Sequence, residues 1–317
     1  MTDASLPNGL RVLACTPLTL LQDAGRWGWQ HLGVSPSGVM DLRAAAWANY
    51  LLGNPWGTPL LEWALGGLRL QIKQDTWIAV CGAERSITLD GQTCPHATRF
   101  AVRSGQLLEL GAAVAGLWGY LAVAGGFQVK PVLGSVATQM RERLGGLGGQ
   151  GQIIKAGDWL PCHRAHYPRA AHRPLAFKPD YRNPKPVRVM LNPATVKDGS
   201  WTDAPFWEQR WRLSPSSDRM GIRLQGKALA ALPVVPWSQG VVTGSIQLPP
   251  DGQPIVLMAD RQTIGGYPVL GWAHPLDLGA LAQIPAGQSV QFQPIERAQV
   301  QQDLRCFYRF FRPDAQT

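Results

Sequence analysis

Charge is scarce in this chain. Asp, Glu, Lys and Arg make up 16% of its 317 residues and hydrophobic residues 45%, against roughly 25% charged in an ordinary globular domain, which excludes charge-driven disorder. Paired cysteines are lacking as well. The five (Cys15, Cys81, Cys94, Cys162, Cys306) are scattered, odd in number and never spaced as CxxC. That argues against a disulfide framework or zinc and predicts reduced thiols in a cytoplasmic chain. Histidine is equally sparse, with six in all. His163, His166 and His172 cluster, but in a proline-rich stretch with no regular element to fix them, so they read as solvated polar residues and no metal site is expected. The start, MTDASLPNGLRVL, has no basic stretch leading into a long apolar one, so no secretory signal is expected. The one long uncharged run, Leu110 to Phe127, is broken by five glycines and has no flanking positive charge. It predicts two buried strands around a turn near Ala115-Gly116 rather than a membrane span, and no membrane partner.

Glycine and proline, by contrast, are abundant at 35 and 26 residues. Spread along the chain, they interrupt helices and exclude a helix bundle or coiled coil. The net charge is +9, and much of the excess sits in Arg164, Arg169, Arg173, Lys178, Arg182 and Lys185, a proline-rich stretch that reads as a linker. With no zinc finger, basic helix or aromatic RNP-like strand, no nucleic-acid partner is expected. Strand-length runs bounded by Gly, Pro or Asp recur: 68–72, 77–80, 107–110, 120–123, 187–190, 240–243, 255–258 and 289–292. Helices are expected over Met40–Leu52, where Asp41 complements the first turn and Gly53 follows the last, and over Ala298–Phe311, with a turn at Ala280–Gln283.

The chain also echoes itself. Ser35-Pro36-Ser37 with Met40 and Arg43 recurs as Ser214-Pro215-Ser216 with Met220 and Arg223, Ile78-Ala79-Val80 as Ile255-Val256-Leu257, and Gly105-Gln106 as Gly287-Gln288, at offsets of 179, 177 and 182. Nearly constant offsets in the same order are what a duplicated domain leaves. The expected architecture is therefore mainly β, with a first barrel domain over 1–158, a basic connector over 159–186, a second barrel over 187–296 and a tail, partly helical, over 297–317.

Several motifs fail on inspection. Gly221 to Lys227 matches GxxxxGK, but Ala228 lacks the hydroxyl that ligates magnesium and the intervening residues alternate like a strand. Gly25-Arg26-Trp27-Gly28 and the glycines of 145–151 lack the strand–loop–helix frame of a dinucleotide fingerprint. No GxSxG or HExxH occurs, and no Lys sits in a Met-Lys-Met biotin-acceptor context. The informative stretch is Ser238 to Gln247 followed by Asp251 to Pro268, two strands ending in a polar, glycine-permitted loop. Asp260 offers a carboxylate, Gln262 a paired donor and acceptor, Thr263 and Tyr267 hydroxyls, while Gly265 and Gly266 let a ligand approach the backbone. A side-chain amide answers an amide, ureido or lactam edge with two hydrogen bonds. The same residues also suit a glycine-rich turn capped by its Asp.

Ile255 to Pro268, Ser217 to Gly226, Gly33 to Asp41 with Ala48-Asn49 and Gly53-Asn54, and Tyr120 to Gly126 with Leu133 to Thr138 together resemble the allophanate hydrolase subunit 2 family. The likeness runs from about Gly9 to Phe292. One departure is Gly148 to Gln152, where the family more often shows Gly-Arg and an apolar residue, so no anion contact is assigned there. The resemblance implies a pair of cyclophilin-like β-barrels. It also implies company, since characterised members include the C subunit of bacterial ATP-dependent 5-oxoprolinase. That protein works with a B subunit, together with an A subunit of the lactam-utilisation type, to open 5-oxo-L-proline to L-glutamate. Related modules in urea carboxylase move a carboxyl group from biotin to urea, and other relatives are non-enzymatic antagonists of a kinase inhibitor. ATP with Mg2+ is thus the implied cofactor of the complex, and biotin under the carboxyltransferase alternative.

For lactam opening, a site must recognise a lactam edge, a carboxylate and phosphates. On this reading Asp260 and Gln262 take the catalytic places, Asp260 for a metal or a proton and Gln262 with Thr263 for the lactam edge. Arg219 or Arg223 takes the carboxylate or phosphate by a forked contact. Ser37 and Asp41 complete a cleft from the first domain, and Ser238, Gly265, Gly266 and Tyr267 line it. Two plainer roles compete: Arg223 as a surface pair and Asp41 as a helix cap.

Overall fold

The structure, a computed structural model, describes residues 8–165, 167, 170–194, 205–232 and 237–312. His166 and Arg169 lie outside them. The chain divides into two compact units, residues 1–26 with 43–179 and residues 27–42 with 180–317.

The first unit is built from β1 (Gly9–Ala14), β2 (Thr19–Gln22), β3 (Leu60–Ala64), β4 (Leu68–Ile72), β5 (Thr76–Glu84), β6 (Ile87–Leu89), β7 (Gln92–Thr93), β8 (Thr98–Val102), β9 (Leu107–Leu110), β10 (Ala115–Val123), β11 (Trp159–Pro161) and β12 (Ala171–His172). They form two antiparallel six-stranded sheets, β11-β1-β4-β9-β6-β7 and β12-β8-β5-β10-β3-β2. In β4, Leu68, Leu70 and Ile72 are buried while Arg69 is exposed, the period-two pattern of a sheet with one face inward. These residues join Leu10 and Val12 from their own sheet and Leu61, Ile78, Val80 and Leu121 from the other in one core. β5 is buried along nearly its whole length.

The apolar run 110–127 makes a single strand, β10, rather than two. Gly116 has φ +85°, and the register with β5 shifts between Ala115 and Gly119, so the glycine creates a bulge where a turn was expected. Further along, Gly119 makes room for Trp63, whose ring carbons lie 2.7 Å from where a Cβ would stand. Arg85 stacks over that indole at 4.5 Å and donates to the carbonyls of Gly66 and Gly111. Burial lowers its pKa to about 10.

Several of the longest sequence motifs serve this architecture. Asn54 donates to Asn49 Oδ1 and to the Val123 carbonyl and accepts from the Gly125 amide, tying the end of helix α1 (Leu42–Leu51) to the end of β10. Asp23 accepts from Ser135 Oγ and the Val136 amide, both at 2.7 Å. Buried Arg26 donates to the carbonyls of Val132, Ser135 and Ala137.

The second unit holds β13 (Val187–Leu191), β14 (Trp211–Leu213), β15 (Gly221–Gln225), β16 (Gln239–Gly240), β17 (Ser245–Gln247), β18 (Ile255–Leu257), β19 (Ile264–Gly265), β20 (Val269–Ala273), β21 (Ser289–Val290) and β22 (Phe292–Pro294). Eight of them form one sheet, β21-β14-β15-β18-β17-β20-β13-β22. Its two edge strands are separated in the chain by Gln291 alone, so the sheet nearly closes on itself as a barrel. β16 and β19 pair as a short ribbon, and of the expected 240–243 strand only Gly240 belongs to it. Phe206 of α2 (Pro205–Glu208) stacks on Phe292 at 4.8 Å and accepts at its carbonyl from Trp211 Nε1. Helices α3 (Leu278–Ala282) and α4 (Arg297–Phe311) complete the unit. The molecule is thus mainly β with few helices.

The echo at Gly105 and Gly287 has a structural counterpart. Gly105 donates to the Ile72 carbonyl while Ile72 donates to Gln106, and Gly287 donates to Leu213 while Leu213 donates to Gln288. Both glycines have positive φ, so the same tight turn closes a strand pair in each unit. The Ser-Pro-Ser echo does not repeat in this way, because residues 35–37 precede α1 and residues 214–216 precede β15.

Candidate functional site

Three of the residues expected at the site, Ser37, Arg219 and Asp260, meet inside the second unit. β15 and β18 are hydrogen-bonded neighbours, and the backbone pairing continues past their ends, with Met258 donating to Met220 and Asp260 to Arg219. Asp218 caps the turn by accepting from the Met220 and Gly221 amides. Arg219 and Asp260 are thereby set side by side, only 4% and 6% exposed. Arg219 donates from Nε to Asp260 Oδ2 at 2.9 Å and from Nη2 to Oδ1 at 3.0 Å. The same Nη2 donates to the Gly38 carbonyl at 2.6 Å, and Ser37 Oγ donates to Asp260 Oδ1 at 2.6 Å. Ser37 has φ +54°, a left-handed backbone that a non-glycine residue holds only when its surroundings enforce it.

Asp41 lies in the same unit, 2% exposed. Its Oδ2 accepts from Tyr181 OH at 2.9 Å and from Gln283 Nε2 at 3.0 Å, and a Cβ on Gly279 of α3 would collide with Oδ1. Asp41 thus fastens residues 27–42 to the second unit as well as standing before α1. Ser37 and Asp41 are therefore parts of the second unit itself and not contributions from the first. Tyr181 and Gln283 carry no sequence signal, since each becomes meaningful only through its carboxylate partner.

The polar loop clusters around the β16–β19 ribbon. Thr263 accepts at its carbonyl from the Val241 amide, and Ser238 Oγ lies 3.8 Å from where a Cβ on Gly266 would stand. Ser238, Gly266 and Tyr267 are exposed, whereas Gln262, Thr263 and Gly265 are half-buried. Gln262 Nε2 faces Gln247 Oε1 at 3.5 Å, at the outer limit for a hydrogen bond. Arg223 stands apart: it is the exposed residue between buried Ile222 and Leu224 on β15.

A second buried arginine has no distinguishing mark in the sequence. Arg261, 1% exposed, donates from Nε to Thr243 Oγ1 and from Nη1 to the Gln262 carbonyl, both at 3.1 Å. Burial pushes its pKa down. Beside the loop, Gln247 is 2% exposed and its Nε2 has no hydrogen-bond partner.

The GxxxxGK match contains β15, and a Cβ at Gly226 would meet the Trp211 ring at 2.9 Å, so it is not a phosphate cradle. Among the described residues no group of three or more His, Cys, Asp or Glu could hold a metal ion. None of the five cysteines is in a disulfide, and burial pushes the Cys162 thiol up to about 12. No helix among the described residues is long and apolar enough to cross a membrane.

The second unit is thus a nearly closed β-barrel module that carries a buried carboxylate–guanidinium cluster and a polar strand-end loop. Residues 32–294 match the model of the carboxyltransferase domain, subdomain A and B, and the chain belongs to that family. It is 38% identical to the C subunit of 5-oxoprolinase from Haemophilus influenzae, with 87% of each chain covered. To the C subunit of the Escherichia coli 5-oxoprolinase it is 37% identical, covering 89% of this chain and 90% of that one. Urea amidolyase of Saccharomyces cerevisiae is 28% identical over 91% of this chain but only 17% of its own length. Among solved structures, the Kluyveromyces lactis urea amidolyase aligns with a TM-score of 0.86 at 26% identity, covering 96% of this chain and 20% of that one. The structure of TTHA0988 aligns at 0.79 with 30% identity, covering 92% of this chain and 57% of that one.

Proposed function

We propose that this chain serves as the C subunit of an ATP-dependent 5-oxoprolinase in the cytoplasm, opening 5-oxo-L-proline to L-glutamate in company with a B subunit, together with an A subunit of the lactam-utilisation type. The observation that carries this reading is identity of 37–38% across nearly the full length of the 5-oxoprolinase C subunits, against 28% to urea amidolyase. In this reading Gln262 and Thr263 hold the lactam edge, with Ser238, Gly265, Gly266 and Tyr267 around it. Asp260 enters as a positioning residue. Both of its oxygens already accept hydrogen bonds from Arg219 and one also from Ser37, and taking up a proton would dismantle that pair. ATP with Mg2+ would supply activation of the lactam to the complex, and the GxxxxGK segment of this chain is a strand rather than a cradle for its phosphates.

Likeness to urea amidolyase along most of this chain supports a second reading, a carboxyltransferase component that takes a carboxyl group from a biotinylated partner to a urea-like amide. Co-expression with the two partner proteins, followed by assay of glutamate release from 5-oxoproline, separates the two. ATP-dependent release that vanishes without this chain is the expected result. No release from a folded, assembled complex overturns it and moves the test to biotin-dependent carboxylation.

A further inference from the structure

Buried polar groups in a folded protein are matched, and a buried guanidinium is normally matched by a carboxylate. Arg219 obeys this rule. Arg261 does not: its side-chain contacts are a hydroxyl and a backbone carbonyl, no Asp or Glu pairs with it among the described residues, and two of its five N–H donors are used. The nearby Gln247 amide supplies a second unmatched donor at 2% exposure. The two are linked through Gln262, whose carbonyl holds Arg261 and whose side chain faces Gln247. Glycine at position 265 is required for Gln247 to sit there, since a Cβ would collide with Nε2. One short loop thus gathers a cation and a neutral donor with hydrogen-bonding capacity to spare, next to the side-chain amide expected to hold an amide edge.

We infer that Arg261, with Gln247 Nε2 as second donor, forms a carboxylate-binding subsite beside Gln262, so that the ligand of this loop is an anionic amide and not a neutral one. Thr243 is the positioning residue, because its Oγ1 fixes the guanidinium through Nε; with one Nη1 hydrogen on the Gln262 carbonyl, the remaining Nη hydrogens are those offered to the ligand. This assignment rests on the amide-binding reading of the loop and names the residues that take the carboxylate, which that reading leaves unassigned. Arg219 and Arg223 are the less suited arginines, the first being engaged by Asp260 and Gly38 and the second exposed on the barrel surface.

The test compares 5-oxo-L-proline with its neutral analogue 2-pyrrolidinone for binding to the purified full chain and, in the assembled complex, for turnover. Acetate serves as a bare carboxylate probe. The wild-type chain is expected to prefer the carboxylate-bearing lactam by about 10- to 100-fold, the usual reward of a hydrogen bond to a charged group. Arg261→Gln abolishes the preference, Arg261→Lys keeps part of it, and Thr243→Val raises KM for 5-oxoproline with little change in kcat. Circular dichroism and thermal unfolding identify any variant that fails to fold, in which case Arg261→Lys and Thr243→Val carry the test. A folded Arg261 variant that retains the wild-type preference overturns the inference while leaving oxoprolinase turnover intact. A wild-type chain that binds none of the carboxylates overturns it too. Acetate binding through Arg261 without any 5-oxoproline turnover supports the subsite and defeats the oxoprolinase reading instead.

Discussion

Removing one charge of the Arg219–Asp260 pair leaves the other buried and uncompensated, which costs about 3–5 kcal/mol, whereas replacing both by apolar residues of similar volume costs far less. Asp260→Asn is therefore expected to lower unfolding stability in denaturant by that amount, and a combined Arg219→Met, Asp260→Leu variant to recover most of it. A loss below about 1 kcal/mol, the worth of an ordinary hydrogen bond, shows that the pair does not hold the 37–38 turn. Gly279→Ala forces a methyl group onto the Asp41 carboxylate and is expected to cost about 1–3 kcal/mol in the same unfolding measurement, as overpacking does. The loop 260–267 is legible in the sequence as a polar, glycine-permitted strand end, and Arg219 as a charged residue near it. What is not legible is which charges cancel: Asp260 reads as an available carboxylate until Arg219 and Ser37 are seen on it. Arg261, flanked by the two residues singled out as catalytic, escapes a sequence reading because arginine in a loop ordinarily reaches solvent.

At the scale of elements, α4 is held by charge as well as by Phe307. Arg188 on β13 donates to Asp277 from Nε and Nη2, both at 2.7 Å, and to Asp303 of α4 from Nη1 at 2.6 Å. His274 Nε2 lies 3.3 Å from Asp303. Desolvation pushes the Asp303 carboxyl up, but hydrogen bonds from Gln299 and Arg188 and the charges of Arg188 and His274 outweigh it, so its pKa lies below the ordinary value. A carboxyl lowered by folding contributes stability that is full above its unfolded pKa, about 3.9, and is lost as pH falls through the lower folded value. Protection of the α4 amides, measured relative to their intrinsic exchange rates, is accordingly expected to fall below about pH 4 in the wild-type protein, and Asp303→Asn to give low protection with a flatter pH profile. An unchanged profile in the variant would remove Asp303 from the clamp. Helices α1, α3 and α4 stand close to their expected places because capping and punctuation are local. Strand content is legible for the same reason. The run 110–127 misleads because a glycine that turns the chain and a glycine that bulges a strand look alike until the partner strand supplies the register. Likewise, 289–292 splits at Gln291 only because its two halves sit on opposite edges of a barrel.

For the molecule as a whole, the decisive feature is that residues 27–42, early in the chain, belong to the second compact unit. Periodicity and punctuation place that segment with its sequence neighbours, since nothing local marks Ser37, Gly38 and Asp41 as partners of residues some 140 to 240 positions away. The internal echo also points elsewhere, pairing Ser35–Ser37 with Ser214–Ser216 as equivalents, while the structure brings Ser37 to Asp260 and Arg219 to Gly38. A fragment of residues 180–317 alone strips Arg219 of the Gly38 carbonyl, Asp260 of the Ser37 hydroxyl, and Tyr181 and Gln283 of Asp41. Such losses of buried partners each cost about 1–3 kcal/mol, and together they approach the whole stability of an ordinary domain. The fragment is expected to lack a cooperative thermal transition. A variant that joins residues 27–42 to 180–317 through a flexible linker is expected to regain one, because the missing acceptors and donor return in the same chain. Differential scanning calorimetry of the two distinguishes the cases, and a cooperative transition in the fragment alone would show that residues 27–42 decorate the second barrel without completing it.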